Sequence, residues 1–296
     1  MYCSVYSYTT PHNEDSYFVQ YIDSEEKILV GGIADGHGGS SASYMCRDTF
    51  VEKFKKQFMN GVSIKESIRH TFEELHEEVK KKDTSGCTLS VVVIDTSTKQ
   101  FTIANVGDSE VLQVSSDTYI HLTTSHRIQH NVSENMRLKQ YIKKLDGLYK
   151  GQPRLWPGGL CVTRSIGDGD CPHVICEPSF FEGELEDNDS IVLCTDGVWD
   201  VVSYTKVSNF IKSNPSAESL CKYAMRKPTH SDDTTVLVVS LKKNTSSTSS
   251  FTRLFRTRST SPTSPTISST TSGISGVSDM RRTQSCSSDI AMKIKL

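Results

Sequence analysis

From residue 87 to residue 122 the chain is a succession of short β-branched runs, Cys87 to Asp95, Gln100 to Val106 and Glu110 to Val114, joined by a few residues each. A parallel pair needs a crossover of a dozen or more residues, so this stretch is expected to fold as antiparallel neighbours. Similar runs lie at Lys27 to Ala34, Asp189 to Thr195 and Thr234 to Leu241, with a strand-like stretch from Tyr17 to Ile22. Apolar residues at 42, 46, 50, 54 and 58, and then Ile64, Ile68, Phe72, Leu75 and Val79, recur at spacings of three and four, which predicts two amphipathic helices after Gly39. Shorter helices are expected at about 204 to 213 and 216 to 226. Strands grouped in hairpins and helices grouped in pairs define an α+β chain with helices packed on antiparallel sheets.

The charge is unevenly spread. Of 296 residues, 33 are Lys or Arg and 35 are Asp or Glu, yet residues 244–296 carry a net +5, which leaves −7 on residues 1–243. That acidic body argues against nucleic acid as a partner and leaves room for a carboxylate site that attracts cations. In the last stretch 25 of 53 positions are Ser or Thr with no apolar periodicity. A folded domain over 1–243 and a disordered, basic, Ser/Thr-rich tail over 244–296 are therefore expected. Ser261-Pro262 and Ser264-Pro265 have the form of proline-directed kinase sites, and Arg282 stands three residues before Ser285, so kinases are candidate partners of the tail. A plain spacer accounts for the same composition equally well. Nine cysteines show no Cys-x-x-Cys pair, no run is long enough to span a membrane, and the sequence after Met1 has neither a signal core nor an acylated glycine. The expectation is a reduced cytoplasmic or nuclear monomer that does not engage a membrane.

Four acidic sites sit at the ends of expected core strands. Glu14-Asp15 precedes Tyr17 to Ile22, Asp35 follows Lys27 to Ala34 inside Asp35-Gly36-His37-Gly38-Gly39, Asp196 follows Ile191 to Thr195, and Asp232 precedes Thr235 to Val239. Each acid alone could be a solvated turn residue, and Asp-Gly is an ordinary turn dipeptide. Together they are better read as ligands held convergent by a rigid scaffold. Carboxylates and backbone carbonyls are hard oxygen donors suited to Mg²⁺ or Mn²⁺, and no His and Cys grouping has zinc spacing. Other routes to phosphate chemistry are missing: there is no Cys-x5-Arg loop, no Gly-x-Ser-x-Gly elbow and no Gly-x4-Gly-Lys-Ser/Thr loop.

The order of motifs resembles the metal-dependent protein serine/threonine phosphatases, the type 2C or PPM-type family. The resemblance runs from about Tyr2 to Leu241 through Asn13-Glu14-Asp15-Ser16, Asp35-Gly36-His37-Gly38-Gly39, Ser85-Gly86-Cys87-Thr88, Ala104-Asn105-Val106-Gly107-Asp108-Ser109, the block from Pro157 to Asp168 that ends in Arg164-Ser165-Ile166-Gly167-Asp168, Thr195-Asp196-Gly197-Val198-Trp199-Asp200 and Asp232-Asp233-Thr234-Thr235-Val236. It implies a four-layer sandwich of two antiparallel β-sheets flanked by pairs of α-helices. It also implies two Mg²⁺ or Mn²⁺ ions, with Asp35 bridging them, Asp196 and Asp232 completing one, and Glu14 and the Gly36 carbonyl serving the other. By the same resemblance Asp15 orients the attacking water, His37 is the general acid for the leaving alkoxide, and the substrates are phosphoproteins. The blocks around Asp108 and Asp168 are expected to fix turns and packing rather than to enter the site, and Trp199 to be core.

Three departures from the family pattern stand out. Thr10 occupies the place of an arginine that grips substrate phosphate, Ser125 that of an aspartate serving a third metal, and Asp232-Asp233 that of Asp-Asn, which leaves the ligand open between two adjacent acids. A catalytically weak or inactive scaffold that binds partner proteins is the alternative reading. Losing one charge-assisted contact costs roughly 1.5–3 kcal/mol, which reduces a rate without abolishing it. Because the binuclear carboxylates all remain, activity is the favoured expectation.

Overall fold

A computed structural model describes residues 1–143 and 153–241. The expected domain boundary at 243 and the Ser/Thr-rich tail lie outside the described residues. The chain begins with β1 (Tyr2–Tyr8), β2 (Ser16–Tyr21), β3 (Ile28–Ala34) and β4 (Gly36–His37), then α1 (Ser41–Met59) and α2 (Ile64–Lys82). Next come β5 (Gly86–Cys87), β6 (Leu89–Asp95), β7 (Gln100–Val106), β8 (Glu110–Val114), β9 (Tyr119–His121), α3 (Val132–Leu138), β10 (Ile142–Lys143), β11 (Arg154–Leu155), β12 (Ile166–Gly167) and β13 (Ser179–Glu184). The domain closes with β14 (Ser190–Cys194), α4 (Asp196–Trp199), α5 (Tyr204–Ser213), α6 (Ala217–Met225) and β15 (Thr234–Ser240).

Two five-stranded antiparallel sheets, in the orders β1-β15-β14-β8-β9 and β13-β7-β6-β3-β2, stack face to face. Leu29, Ile33, Val92, Ile94 and Ile103 of one sheet meet Val111, Ile191, Leu193, Leu237 and Val239 of the other. The alternate residues point outward into two further cores. Val30, Val91, Val93 and Ala104 pack under α1 and α2, against Cys46, Phe50, Phe54, Ile68, Phe72 and Leu75. Val192, Cys194, Val236 and Val238 pack under α5 and α6, against Val207, Ile211, Leu220 and Ala224. Central strands covered on both faces read as continuous apolar runs, which is why they stand out in the sequence. The helix faces expected at 42, 46, 50 and 54 and at 68, 72, 75 and 79 are buried as expected, each large side chain contributing about 1.5–3 kcal/mol. The start of α2 is set by Ser63, whose hydroxyl accepts the Glu66 N–H at 3.3 Å, and its last turn carries Lys80, Lys81 and Lys82. The α+β four-layer sandwich is thus the observed architecture.

Two expectations about the run from 87 to 122 need correction. Cys87 to Asp95 is two strands, because Thr88 leaves the ladder: its N–H donates to the Asp35 carbonyl at 2.9 Å and its hydroxyl accepts the Asp35 N–H at 3.2 Å. The connected strands β7 and β8 are not neighbours. They belong to different sheets, and the chain crosses between them at Gly107, whose φ of 96° is open to glycine and strained for other residues. A short connection therefore joins two layers here, and only β6–β7 and β8–β9 are antiparallel pairs within the run.

Candidate active site

At one end of the sandwich a cleft of about 310 Å³ is lined by five acids, Glu14, Asp35, Asp108, Asp196 and Asp232, together with His12, His37 and Arg154. The scaffold beneath it is a three-stranded ribbon in which β5 lies between β4 and β12, so that Gly86 pairs with His37 on one side and Gly167 on the other. That pairing brings residues 37 and 168 together from 131 positions apart.

Asp35 directly follows β3, fixed by the two Thr88 contacts. A side chain on Gly36 would place its Cβ 2.6 Å from the Glu14 carbonyl oxygen, so only glycine lets the Glu14 loop lie against β4. The Glu14 carboxylate accepts the Gly39 N–H at 2.7 Å. Asp196 opens α4 directly after β14. Of the two adjacent acids, Asp232 faces the cleft, whereas buried Asp233 is committed to backbone: its carboxylate accepts the N–H groups of Thr10 and, at 2.6 Å, Glu14. Asp15 stands behind the cleft, 5% exposed, with one carboxylate oxygen accepting from the Thr195 hydroxyl at 3.0 Å and the other without a hydrogen-bond partner.

Packing like charges together has the expected electrostatic result. Burial, followed by the charges of Asp196, Asp15, Asp108 and Asp232, holds the Asp35 carboxyl well above the usual range. Burial and Asp108 push Asp196 up to about 7 against the opposing pull of Arg127. Asp15 is raised chiefly by burial. Among the described residues no group of three or more His, Cys, Asp or Glu closes on a point ready to hold a metal ion. The donor chemistry nevertheless fits divalent cations: all the acids offer hard oxygen, they repel one another, and Asp15 keeps an unsatisfied buried oxygen.

His37 donates from Nε2 to both carboxylate oxygens of Asp168, at 2.8 and 3.0 Å. Burial alone would depress the imidazole; the Asp168 bond outweighs it and raises the pKa above the ordinary histidine value. Asp168 is itself held by the Ser165 hydroxyl. The blocks containing Asp108 and Asp168 therefore do more than fix turns, since Asp108 lines the cleft and Asp168 carries the histidine.

Each of these two aspartates follows a glycine pinned by a buried imidazole. The Gly107 N–H donates to His126 Nδ1, and the Gly167 N–H donates to His76 Nδ1, both at 3.1 Å. Both rings must be neutral at Nδ1 to accept, and burial lowers both pKa values, His126 to about 4. Sequence reasoning also passed over Arg127, which bonds Asp108, Asp196 and Asp200, and Arg154 and His12 on the cleft wall. None of these sits in a local pattern that announces it. Thr10 is absent from the lining; its N–H is tied to Asp233 and its hydroxyl accepts from the His12 N–H at 3.2 Å. Trp199 is partly buried in the helical core, its Nε1–H donating to the Cys194 carbonyl at 2.8 Å.

A model of the Protein phosphatase 2C family matches residues 9–233, and the chain belongs to that family. Among curated relatives, Probable protein phosphatase 2C 5 of Arabidopsis thaliana is 31% identical over 239 residues, covering 74% of this chain and 55% of that protein. Probable protein phosphatase 2C 3 of Oryza sativa subsp. japonica is 30% identical over 234 residues, covering 72% and 48%. The chain thus spans about half the length of the curated relatives it matches. Among solved structures, a C. elegans sex determining protein superposes with a TM-score of 0.72 at 21% identity, covering 82% of this chain and 65% of that one. Serine-threonine phosphatase 2C from Toxoplasma gondii gives 0.71 at 17%, covering 81% and 94%. These two share the fold.

Proposed function

We propose that the chain hydrolyses phosphoserine and phosphothreonine in phosphoproteins. The observation that carries this reading is the convergence of five carboxylates on one cleft beside a histidine braced by a buried aspartate. Two Mg²⁺ or Mn²⁺ ions would be held by Glu14, Asp35, the Gly36 carbonyl, Asp196 and Asp232. When bound they would supply an activated water and neutralise phosphoryl charge.

The chain's own groups do the rest. Asp15, buried and bonded to the Thr195 hydroxyl, would hold and orient water at the rear of the cleft. His37 gives a proton to the leaving Ser or Thr oxygen: protonated, the ring carries a second N–H besides the one bound to Asp168, and the Asp168 carboxylate stabilises that cation. Such proton transfer contributes about 10²- to 10⁴-fold. Arg154 and His12 place donors on the cleft wall that Thr10 does not supply. A reducing cytoplasmic or nuclear compartment is part of the same reading, supported by eight free cysteines among the described residues. Among those residues no helix is long and apolar enough to cross a membrane. The activity test is hydrolysis of a phosphothreonine peptide with Mn²⁺, with chelator, and by Asp196→Ala. Turnover that needs the ion and is lost in the variant is expected; equal rates in chelator overturn the reading.

A further inference from the structure

Arg127 bonds two of the acids that line the cleft, Asp108 and Asp196, and a third, Asp200, that closes the short helix Asp196 begins. Its Nε donates to Asp108 at 2.7 Å, its Nη2 to Asp196 at 2.7 Å and its Nη1 to Asp200 at 2.8 Å. The arginine side chain is 19% exposed, and Asp108 and Asp196 are 7% and 21% exposed, so at least two of the three contacts are largely withdrawn from water. Its backbone is fixed on both sides. The Arg127 N–H leans on the Ser125 hydroxyl at 3.4 Å, residue 127 bridges Val162, and neighbouring His126 is anchored to Gly107 and Ser179.

Three carboxylates around one guanidinium form a hard-oxygen pocket that is too open as it stands to be a metal site and would have to close up to take a divalent cation. Here the pocket is filled by a planar cation on a tether. The guanidinium has five N–H donors, cannot lose its proton in a protein, and can neither exchange with solvent nor polarise a bound water. Ser125, two residues upstream, adds no further carboxylate.

We propose that Arg127 is a built-in cation that takes the place of an additional metal ion among Asp108, Asp196 and Asp200, capping the ion capacity of the cleft and fixing Asp196 for the ions it does bind. Arg127 is thus a positioning residue. The expected count of two ions rests on the reading under Proposed function; the effect of Arg127 is read as a difference and does not depend on that count.

The test is Mn²⁺ stoichiometry, measured by electron paramagnetic resonance of free Mn²⁺ during titration of the full chain. Wild type should take up two ions, and Arg127→Met should take up one more. Asp108→Asn in the Arg127→Met background should return the count to the wild-type value. Arg127→Gln, which keeps amide donors without charge, is the second variant should Arg127→Met fold poorly, and it should gain the same ion. A parallel readout is thermal unfolding: Mn²⁺ should raise the Tm of the Arg127 variants more than that of wild type, because an extra ion binds only their folded state. Equal counts in wild type and both variants overturn the proposal, as does a Tm gain no larger than wild type. Fewer than two ions in wild type overturns the binuclear reading instead, and the difference between wild type and variant still decides the role of Arg127.

Discussion

Two buried imidazoles govern the geometry of the site without touching its cleft. His126 and His76 each accept a glycine N–H immediately before an aspartate that matters, Asp108 or Asp168, and each can do so only while Nδ1 is unprotonated. With its folded pKa at about 4, below the unfolded value near 6.5, His126 contributes stability that is fully present above about pH 6.5 and is lost as pH falls toward 4. The loss should approach about 3 kcal/mol and be seen in denaturant midpoints at pH 7.5, 5.5 and 4.5; a His126→Gln variant with the same pH slope as wild type would refute it. Gly107→Ala should be costly for a different reason. The position has φ 96°, and an added Cβ would sit 2.5 Å from the Thr88 side chain. A loss of about 2–4 kcal/mol in folding free energy is expected, and an unchanged midpoint would show that the crossing between sheets tolerates a side chain. Asp168→Asn removes the charge that favours the His37 cation while leaving the cleft acids in place. It should lower kcat by about 10- to 100-fold with Mn²⁺ uptake unchanged, and loss of the ions instead would assign Asp168 to the cation site.

At the scale of elements, legibility followed burial. Strands covered on both faces announce themselves as apolar runs, and α1 and α2 as stripes, so most of the sandwich could be read directly. Phe72, fully buried under the second sheet, should cost about 3–5 kcal/mol when truncated to alanine, whereas Phe58, only partly buried at the end of α1, should cost well under half of that; equal losses would contradict the layer assignment. Two of the longer strands escaped notice for physical reasons. In β1, Ser and Tyr alternate with buried Cys3 and Val5, and the pattern looks polar although its neighbours are core. In β13, an edge strand, only one flank is paired and its residues stay half-exposed. The strand ends that carry Asp35, Asp196 and Asp232 were legible because an acid abruptly closes or opens an apolar run. Arg127 was not, since 69 residues separate it from Asp196 and only the fold brings them together. The same holds for the pairing of His37 with Asp168, which depends on the short ribbon around Gly86.

For the whole molecule, every strand of both sheets lies before residue 241, so a chain ending at Lys243 should fold and turn over a small phosphate ester at a rate within about tenfold of the full chain, a barrier change of no more than about 1.4 kcal/mol. Unfolding of that shortened chain would mean that the last 53 residues support the domain. The ladder that joins the two ends is of another kind. β1 pairs along its whole length with β15, Tyr2 opposite Ser240 and Tyr8 opposite Thr234, and Asp233 reaches back to the N–H groups of Thr10 and Glu14. A ribosome releases the first strand long before it has made the last. Throughout that interval Glu14 and Asp15 have no Asp233 to fix their loop, and Asp232 does not yet exist. The newborn polypeptide therefore passes most of its synthesis without Asp232 and Asp233, and the acidic cleft is completed only when β15 clears the exit tunnel and pairs with the waiting β1.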